Sequence, residues 1–193
     1  MRDNREDLFS VPVWGFMLND QKYQSRDYID ALEQLEKDSP GVTLSNAGGY
    51  QTHDNLHTLP VFRELVTYLQ TIGARCYTDA SGDPCGVIIT ELWGNINYKH
   101  SVNFAHTHGE ALSGVFYLQV PKDSGKLVLC NPSVRSDGRA LRKINYPIVP
   151  QDLACIIFPS WLEHYVEPNM SNDKRISLAF NMKITKYDEG YSL

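Results

Sequence analysis

The chain has 193 residues, of which 42% are hydrophobic and 21% charged, and its formal net charge is -5. These values are typical of a soluble globular protein, and the length allows one domain with a sizeable core. A negative net charge disfavours non-specific nucleic-acid binding, which depends on cationic surfaces. No apolar run is long enough to predict a membrane span, and the first seven residues are too polar for a secretory signal.

The four cysteines are widely spaced and form no C-x-x-C pair, which disfavours both a disulfide framework and a zinc site. We therefore expect reduced thiols and a cytoplasmic protein. The sequence does not define an oligomeric state, and a homodimer is compatible with it.

The N-terminal part of the chain predicts one edge strand and two helices. Residues 8–18 are apolar but include Pro12, which cannot donate to a central ladder. Apolar residues at helical spacing predict a helix over Ser25–Asp38, and a second over Pro60–Ile72 that Gly73 would end. The polar residues 45–58 between the helices predict a loop.

From Gly86 onward, short runs rich in β-branched and aromatic residues alternate with turn residues. Strands are predicted over Val87–Tyr98, Val102–His106, Ser113–Val120, Lys126–Cys130, Ile144–Val149, Ala154–Phe158, His164–Glu167 and Arg175–Ile184. Turns are expected between them, one of them at Asp137-Gly138. This pattern predicts a mainly β barrel or jelly roll. We expect a single domain over 1–193, with a helical layer in 1–85 and a β core in 86–185.

The motif His106-Thr107-His108 is the strongest chemical signal in the chain. Side chains two residues apart on an extended segment point the same way, so both imidazoles can reach one metal ion. Nitrogen ligands suit iron, zinc, copper or nickel. A surface H-x-H without a metal is the competing interpretation of this stretch alone.

Two further features lie towards the C-terminus. His164 begins a predicted strand after a turn that contains Pro159. On the last predicted strand Arg175 and Ser177 face the same side, where a guanidinium fork and a hydroxyl suit the distal carboxylate of a dicarboxylic acid. The competing interpretation is a salt bridge at the rim and a solvent-facing serine.

The order H-x-H, His, Arg-x-Ser resembles the 2-oxoglutarate/iron(II)-dependent dioxygenases. More narrowly, the segments NFAHTHGEALSGVFYLQVP, IIFPSWLEHYVEPN and RISLAFNM are similar to oxygenases of this family from bacteria and phages. The resemblance implies a double-stranded β-helix core and a hydroxylase that uses Fe(II), 2-oxoglutarate and O2. Such an enzyme would hydroxylate a protein side chain or a small molecule and release succinate and CO2.

Carried over by position, the resemblance makes His106 the first iron ligand and His164 the last, with Arg175 and Ser177 on the 2-oxoglutarate carboxylate. The family usually has a carboxylate where this chain has His108. Three alternatives stay open: His108 ligates, Glu110 supplies the carboxylate, or water fills the position, as in aspartyl/asparaginyl β-hydroxylases. The one-residue spacing favours His108.

The remaining site predictions are weaker. Tyr117 follows the motif on a strand and is expected to hydrogen-bond 2-oxoglutarate or to pack in the barrel. Asn95, Asn97 and Trp161 are candidates for facing the substrate, and no catalytic group beyond the metal centre is predicted. Two other functions compete: a cupin-like metal-binding module without oxygenase activity, and a three-histidine dioxygenase that does not use 2-oxoglutarate. Of the three functions, only the 2-oxoglutarate oxygenase needs the pair Arg175 and Ser177.

Overall fold

The computed structural model describes residues 10–18, 25–133 and 145–185. Two helices, α1 (Ser25–Asp38) and α2 (Arg63–Ser81), precede most of the strands, and short 3-10 turns span Leu56–Thr58 and Pro60–Phe62. The strands are β1 (Trp14–Met17), β2 (Asn46–Ala47), β3 (Tyr50–Gln51), β4 (Gly86–Asn97), β5 (Val102–His106), β6 (Leu112–Gln119), β7 (Leu127–Cys130), β8 (Asn145–Ile148), β9 (Ala154–Pro159), β10 (His164–Val166) and β11 (Arg175–Thr185).

The strands form two antiparallel sheets, as expected for a double-stranded β-helix. One sheet has the order β1-β9-β6-β11-β4-β3 and the other has the order β2-β5-β10-β7-β8. Strand β1 lies at the edge of the first sheet and, among the described residues, pairs with β9 alone, as Pro12 just before it led us to expect. The predicted mainly β fold with N-terminal helices is therefore confirmed.

The helices pack on the six-stranded sheet and leave its other face free for a site. Along β11 the buried residues Ile176, Leu178, Phe180 and Met182 join a core that includes Leu32 of α1 and Leu65 of α2. The alternate residues Arg175, Ser177 and Ala179 line an internal cavity instead. This period of two is the normal alternation of a strand.

The second helix was predicted too short. It continues through Gly73 to Ser81 and ends at Gly82, whose φ of 80° is the left-handed conformation that glycine adopts most easily. Gly73 lies where a Cβ would collide with Met182 of β11. This glycine therefore allows the helix to approach the sheet and does not stop the helix.

Smaller differences concern the ends of elements. The predicted loop 45–58 contains the short strands β2 and β3 and a 3-10 turn, and most core strands shift by one or two residues. The start of the predicted edge strand, Ile144 and the turn at Asp137-Gly138 lie outside the described residues. In the part of the chain that the structure describes, no helix is long and apolar enough to cross a membrane.

Candidate active site

Three histidines converge between the two sheets. His106 ends β5 and His164 begins β10, and these strands pair antiparallel with the two histidines opposite each other. His108 lies two residues beyond His106, and one potential ligand atom from each imidazole lies within 4.8 Å of the others. The ring centroids of His106 and His164 are 4.5 Å apart. The pairing of β5 with β10 thus joins two motifs that are far apart in sequence.

Two of the imidazoles are held in the tautomer that binds a metal through Nε2. His106 Nδ1 lies 2.6 Å from the carbonyl oxygen of Phe104, and His164 Nδ1 lies 2.8 Å from that of Leu162. A carbonyl oxygen can only accept, so Nδ1 carries the proton and Nε2 keeps its lone pair. Such backbone partners commonly orient metal-ligating histidines.

His108 has a different environment. Its backbone N–H donates to the carbonyl oxygen of Ser160, and its ring lies 5.6 Å from the ring of Trp93 between centroids. The Nδ1 atom lies 3.3 Å from Nδ2 of Asn181, a side-chain amide and not a backbone carbonyl. His108 is therefore held in the cluster by its loop and by a side chain of the opposite sheet.

Burial keeps two of the three histidines neutral. It lowers the pKa of His108 to about 4, and the neighbouring His106 and His164 act in the same direction. Burial also lowers the pKa of His164 to about 4, against the opposing hydrogen bond to Leu162. Because a metal ion binds neutral imidazole, His108 and His164 can bind a metal at neutral pH without first losing protons.

No carboxylate joins the histidine cluster among the described residues. Glu110 is half-buried in the loop after His108 but is not part of the cluster. Glu91 of β4 is linked to the cluster through one side chain, because it accepts a hydrogen bond from the Asn181 amide that contacts His108. Sequence reasoning missed both residues, although Asn181 lies six positions after Arg175 and so on the same strand face.

Arg175 lies at the other side of a cavity of about 350 Å³ that the histidines also line. The residue is only 2% exposed. Its guanidinium donates to the carbonyl oxygens of Ser124 and Gly125 at 3.2 and 3.4 Å and to Oδ1 of Asn97 at 2.9 Å. Its Nε–H has no hydrogen-bond partner. Within the described residues no carboxylate forms a salt bridge with this buried cation.

The cavity wall beside Arg175 is polar. Ser177 lies opposite Asn95 on β4 and opposite Tyr117 on β6, and all three line the cavity. The Oδ1 atom of Asn95 is buried without a hydrogen-bond partner. Burial raises the pKa of Tyr117 to about 12, so its hydroxyl stays protonated and can donate.

Two of the residues considered as substrate-facing lie elsewhere. Asn97 is buried next to Arg175, where its Oδ1 accepts from the guanidinium and its Nδ2 donates to Asn103. Trp161 is 54% exposed and does not line the cavity. Asn95 is therefore the one of these three candidates that reaches the cavity.

The chemistry of this donor set fits iron(II) and 2-oxoglutarate. Two or three neutral imidazoles suit a non-haem iron site with open positions. An unpaired, buried guanidinium with a free N–H suits a carboxylate, because a buried charge is costly without a partner.

A protein-family model described as "Putative 2OG-Fe(II) oxygenase" matches residues 91–181, a segment that contains every site residue considered above. Over these residues the chain matches the family of 2-oxoglutarate/iron(II) oxygenases. The predicted family is thus confirmed, and with it the class of oxygenase that depends on Fe(II), 2-oxoglutarate and O2. No curated protein matches the chain significantly.

Solved structures of other oxygenases share the fold. The 2-oxoglutarate-dependent epimerase SnoN of nogalamycin biosynthesis is 14% identical with a TM-score of 0.70, over 89% of this chain and 77% of that protein. A prolyl-4-hydroxylase from Pseudomonas putida is 14% identical with a TM-score of 0.63, over 92% and 95%. HygX from Streptomyces hygroscopicus, solved with nickel and 2-oxoglutarate, is 13% identical with a TM-score of 0.64, over 90% and 82%. At these identities the likeness concerns the fold of the oxygenase core.

Proposed function

We propose that this oxygenase holds iron(II) with His106, His164 and His108 and holds the distal carboxylate of 2-oxoglutarate with Arg175. One observation carries the proposal. A buried guanidinium without a carboxylate partner lies across one cavity from three converging imidazoles. A cupin-like metal-binding module, or a three-histidine dioxygenase without this co-substrate, has no need of such a cation.

The role of Arg175 follows from its partners. Its two terminal nitrogens donate to Ser124, Gly125 and Asn97, which are all uncharged acceptors, so the positive charge stays uncompensated in the cavity. A carboxylate next to Nε would compensate this charge and accept its free N–H. Ser177 and Tyr117 on the neighbouring positions of the wall can donate further hydrogen bonds to the same carboxylate.

When bound, iron(II) and 2-oxoglutarate supply an oxidation that is coupled to decarboxylation, which yields succinate, CO2 and a hydroxylated substrate. The chain itself binds, orients and excludes water. His106 and His164 offer Nε2 lone pairs from fixed rings, while Leu127, Phe158 and Val166 contribute apolar lining to the cavity. Such a lining limits side reactions with water.

We propose that the substrate is a small molecule or a protein side chain, which the net charge of -5 favours over a nucleic acid. It would enter beside Trp93 and Asn95, which line the cavity between the histidines and Arg175. We further propose that residues 1–193 act as one oxygenase domain in the cytoplasm. The proposed location is supported by four free thiols, three of them buried.

The proposal is tested by product formation without a primary substrate. Wild type given Fe(II), ascorbate, oxygen and 2-oxoglutarate should slowly form succinate, because the oxidative decarboxylation of 2-oxoglutarate does not itself require a C–H donor. His164→Ala is the matched control and should form none above background. If wild type binds metal tightly yet forms no more succinate than this control, the cupin-like module becomes the better account.

A further inference from the structure

A chain of hydrogen-bonded side chains leads away from His108 and has no place in the function proposed above. Nδ2 of Asn181 lies 3.3 Å from His108 Nδ1 and also donates to Oε2 of Glu91. Oδ1 of Asn181 accepts from the hydroxyl of Ser113 at 2.6 Å, and this hydroxyl lies 2.7 Å from that of Ser160. The Asn181 side chain thus forms hydrogen bonds through both its oxygen and its nitrogen, and the residue is 1% exposed.

The Glu91 carboxylate determines which way the Asn181 amide faces. An ionised carboxylate only accepts hydrogen bonds, so the amide atom next to it must be the nitrogen. Ser113 can donate or accept and therefore tolerates either orientation of the amide. Because the same nitrogen contacts His108, Nδ1 of His108 has to accept a hydrogen bond.

His108 is consequently in the opposite tautomer to its two neighbours. With the lone pair on Nδ1, the proton of the neutral ring lies on Nε2. His106 and His164 carry their protons on Nδ1, where backbone carbonyls accept them. Two rings of the cluster are thus prepared for metal binding through Nε2, and the third presents an N–H.

We propose that Glu91, acting through Asn181, is a positioning residue that sets how strongly His108 binds as the third metal ligand. This inference rests on the proposed metal site. Ligation through Nε2 moves the His108 proton to Nδ1, and that proton needs an acceptor. Asn181 offers one only if its amide turns over, which brings its oxygen against the Glu91 carboxylate. The pair therefore makes His108 the weakest of the three proposed ligands, while His106 and His164 bind the metal more strongly.

The variant Glu91→Gln tests this role of Glu91, because our proposal and simple electrostatics predict opposite changes in metal affinity. Removing a negative charge near a cation should weaken metal binding if charge alone acts. If the orientation of the Asn181 amide decides instead, the amide introduced by Glu91→Gln can donate to the turned Asn181 oxygen. His108 then becomes a stronger ligand, and cobalt(II) affinity rises by about tenfold. Changes of this size are typical for partners of ligating histidines. The readout is calorimetry with cobalt(II), together with the visible spectrum of the bound ion.

Two matched variants complete the experiment. Asp54→Asn removes an exposed carboxylate that lines the same cavity, and it should leave cobalt(II) affinity unchanged or slightly lower. In a His108→Ala background, Glu91→Gln should have no effect, since the route through His108 is gone. Tighter binding in both backgrounds, or weaker or unchanged binding in Glu91→Gln alone, overturns the proposal. A wild type that binds no cobalt(II) overturns instead the metal site on which it rests.

The tautomers of the three histidines can also be determined directly by spectroscopy on the metal-free protein. Nitrogen-15 spectra of histidine-labelled protein distinguish Nδ1–H from Nε2–H rings. We expect Nδ1–H for His106 and His164, Nε2–H for His108, and a change of His108 to Nδ1–H in Glu91→Gln. An Nδ1–H form of His108 in wild type would contradict the inference whatever the protein binds.

Discussion

At the scale of single residues, the histidines divide by the partner of the second ring nitrogen. His106 and His164 each donate to a carbonyl two residues earlier in the chain, which is a local contact. His108 depends on Asn181, a residue of the opposite sheet. The metal centre therefore consists of two histidines oriented locally and one oriented by the tertiary fold.

Alanine in place of His106 or His164 should reduce iron(II) affinity by roughly a hundredfold or more, because each removes a preset ligand from a site with few others. His53→Ala is the control, since His53 is exposed outside the cavity. Anaerobic calorimetry with Fe(II) gives the result. Full iron occupancy in both His106→Ala and His164→Ala would show that the metal binds elsewhere.

Arg175→Met should weaken 2-oxoglutarate binding by about ten- to a hundredfold, the size of one charge-assisted hydrogen bond of roughly 1.5–3 kcal/mol. Iron affinity should hardly change. Lys174→Met removes the adjacent cation, which pairs with Glu33 away from the cavity, and it should bind the co-substrate normally. Equal affinities of the two variants in a calorimetric titration would exclude Arg175 from the co-substrate site.

At the scale of elements, strand β11 lies between the hydrophobic core and the cavity. One face contributes Phe180 and Met182 to the core under the helices, and the other contributes Arg175 and Ser177 to the cavity. The strand lies between β4 and β6, and its neighbours come close enough to leave room only for glycine at Gly114. The position of Arg175 thus depends on how tightly the three strands pack.

Gly114→Ala should lower the free energy of unfolding by about 1–3 kcal/mol, the usual cost of overpacking a filled core. A Cβ at this position would collide with the rigid Phe180 ring and would lie 2.7 Å from the carbonyl oxygen of Ile156. Gly109→Ala is the matched control, because a Cβ there meets nothing within 4 Å. Urea unfolding of the two metal-free variants compares their stabilities. Equal midpoints would contradict the prediction and show that the sheet can adjust to a Cβ at position 114.

Sequence periodicity predicted much of this element structure. The alternation along Arg175–Ile184 gave the correct strand and the shared face of Arg175 and Ser177. The end of α2 was wrong because Gly73 was interpreted as a stop, whereas it makes room for Met182, which lies 109 positions later. Glu91 and Asn181 were missed because their contact depends on the register of β4 against β11, which local sequence does not determine.

At the scale of the whole molecule, the two sheets enclose imidazoles that must stay neutral. The pKa values of His108 and His164 lie near 4 in the fold, against 6.5 for an ordinary histidine. Between these values the unfolded chain binds more protons than the folded one, so the free energy of unfolding rises with pH there. Acidification from pH 6.5 towards 4 therefore removes stability.

Between pH 7 and pH 5 the metal-free protein should lose on the order of 1–2 kcal/mol of unfolding free energy, after allowance for solvent screening of partly exposed rings. Replacing His108 and His164 together by asparagine should flatten this dependence. Urea titrations at several pH values measure it. Parallel curves for wild type and the double variant would assign the pH dependence to other groups.

The central claim is that one cavity binds iron(II) through its histidines and 2-oxoglutarate through Arg175. The most direct test is an anaerobic titration of 2-oxoglutarate into the Fe(II)-loaded protein, followed by the weak visible charge-transfer band of the chelate. We predict the band in wild type, its absence in His164→Ala and its appearance only at higher 2-oxoglutarate concentration in Arg175→Met. A wild type that holds one equivalent of iron(II) but gives neither the band nor binding heat with 2-oxoglutarate would contradict the claim.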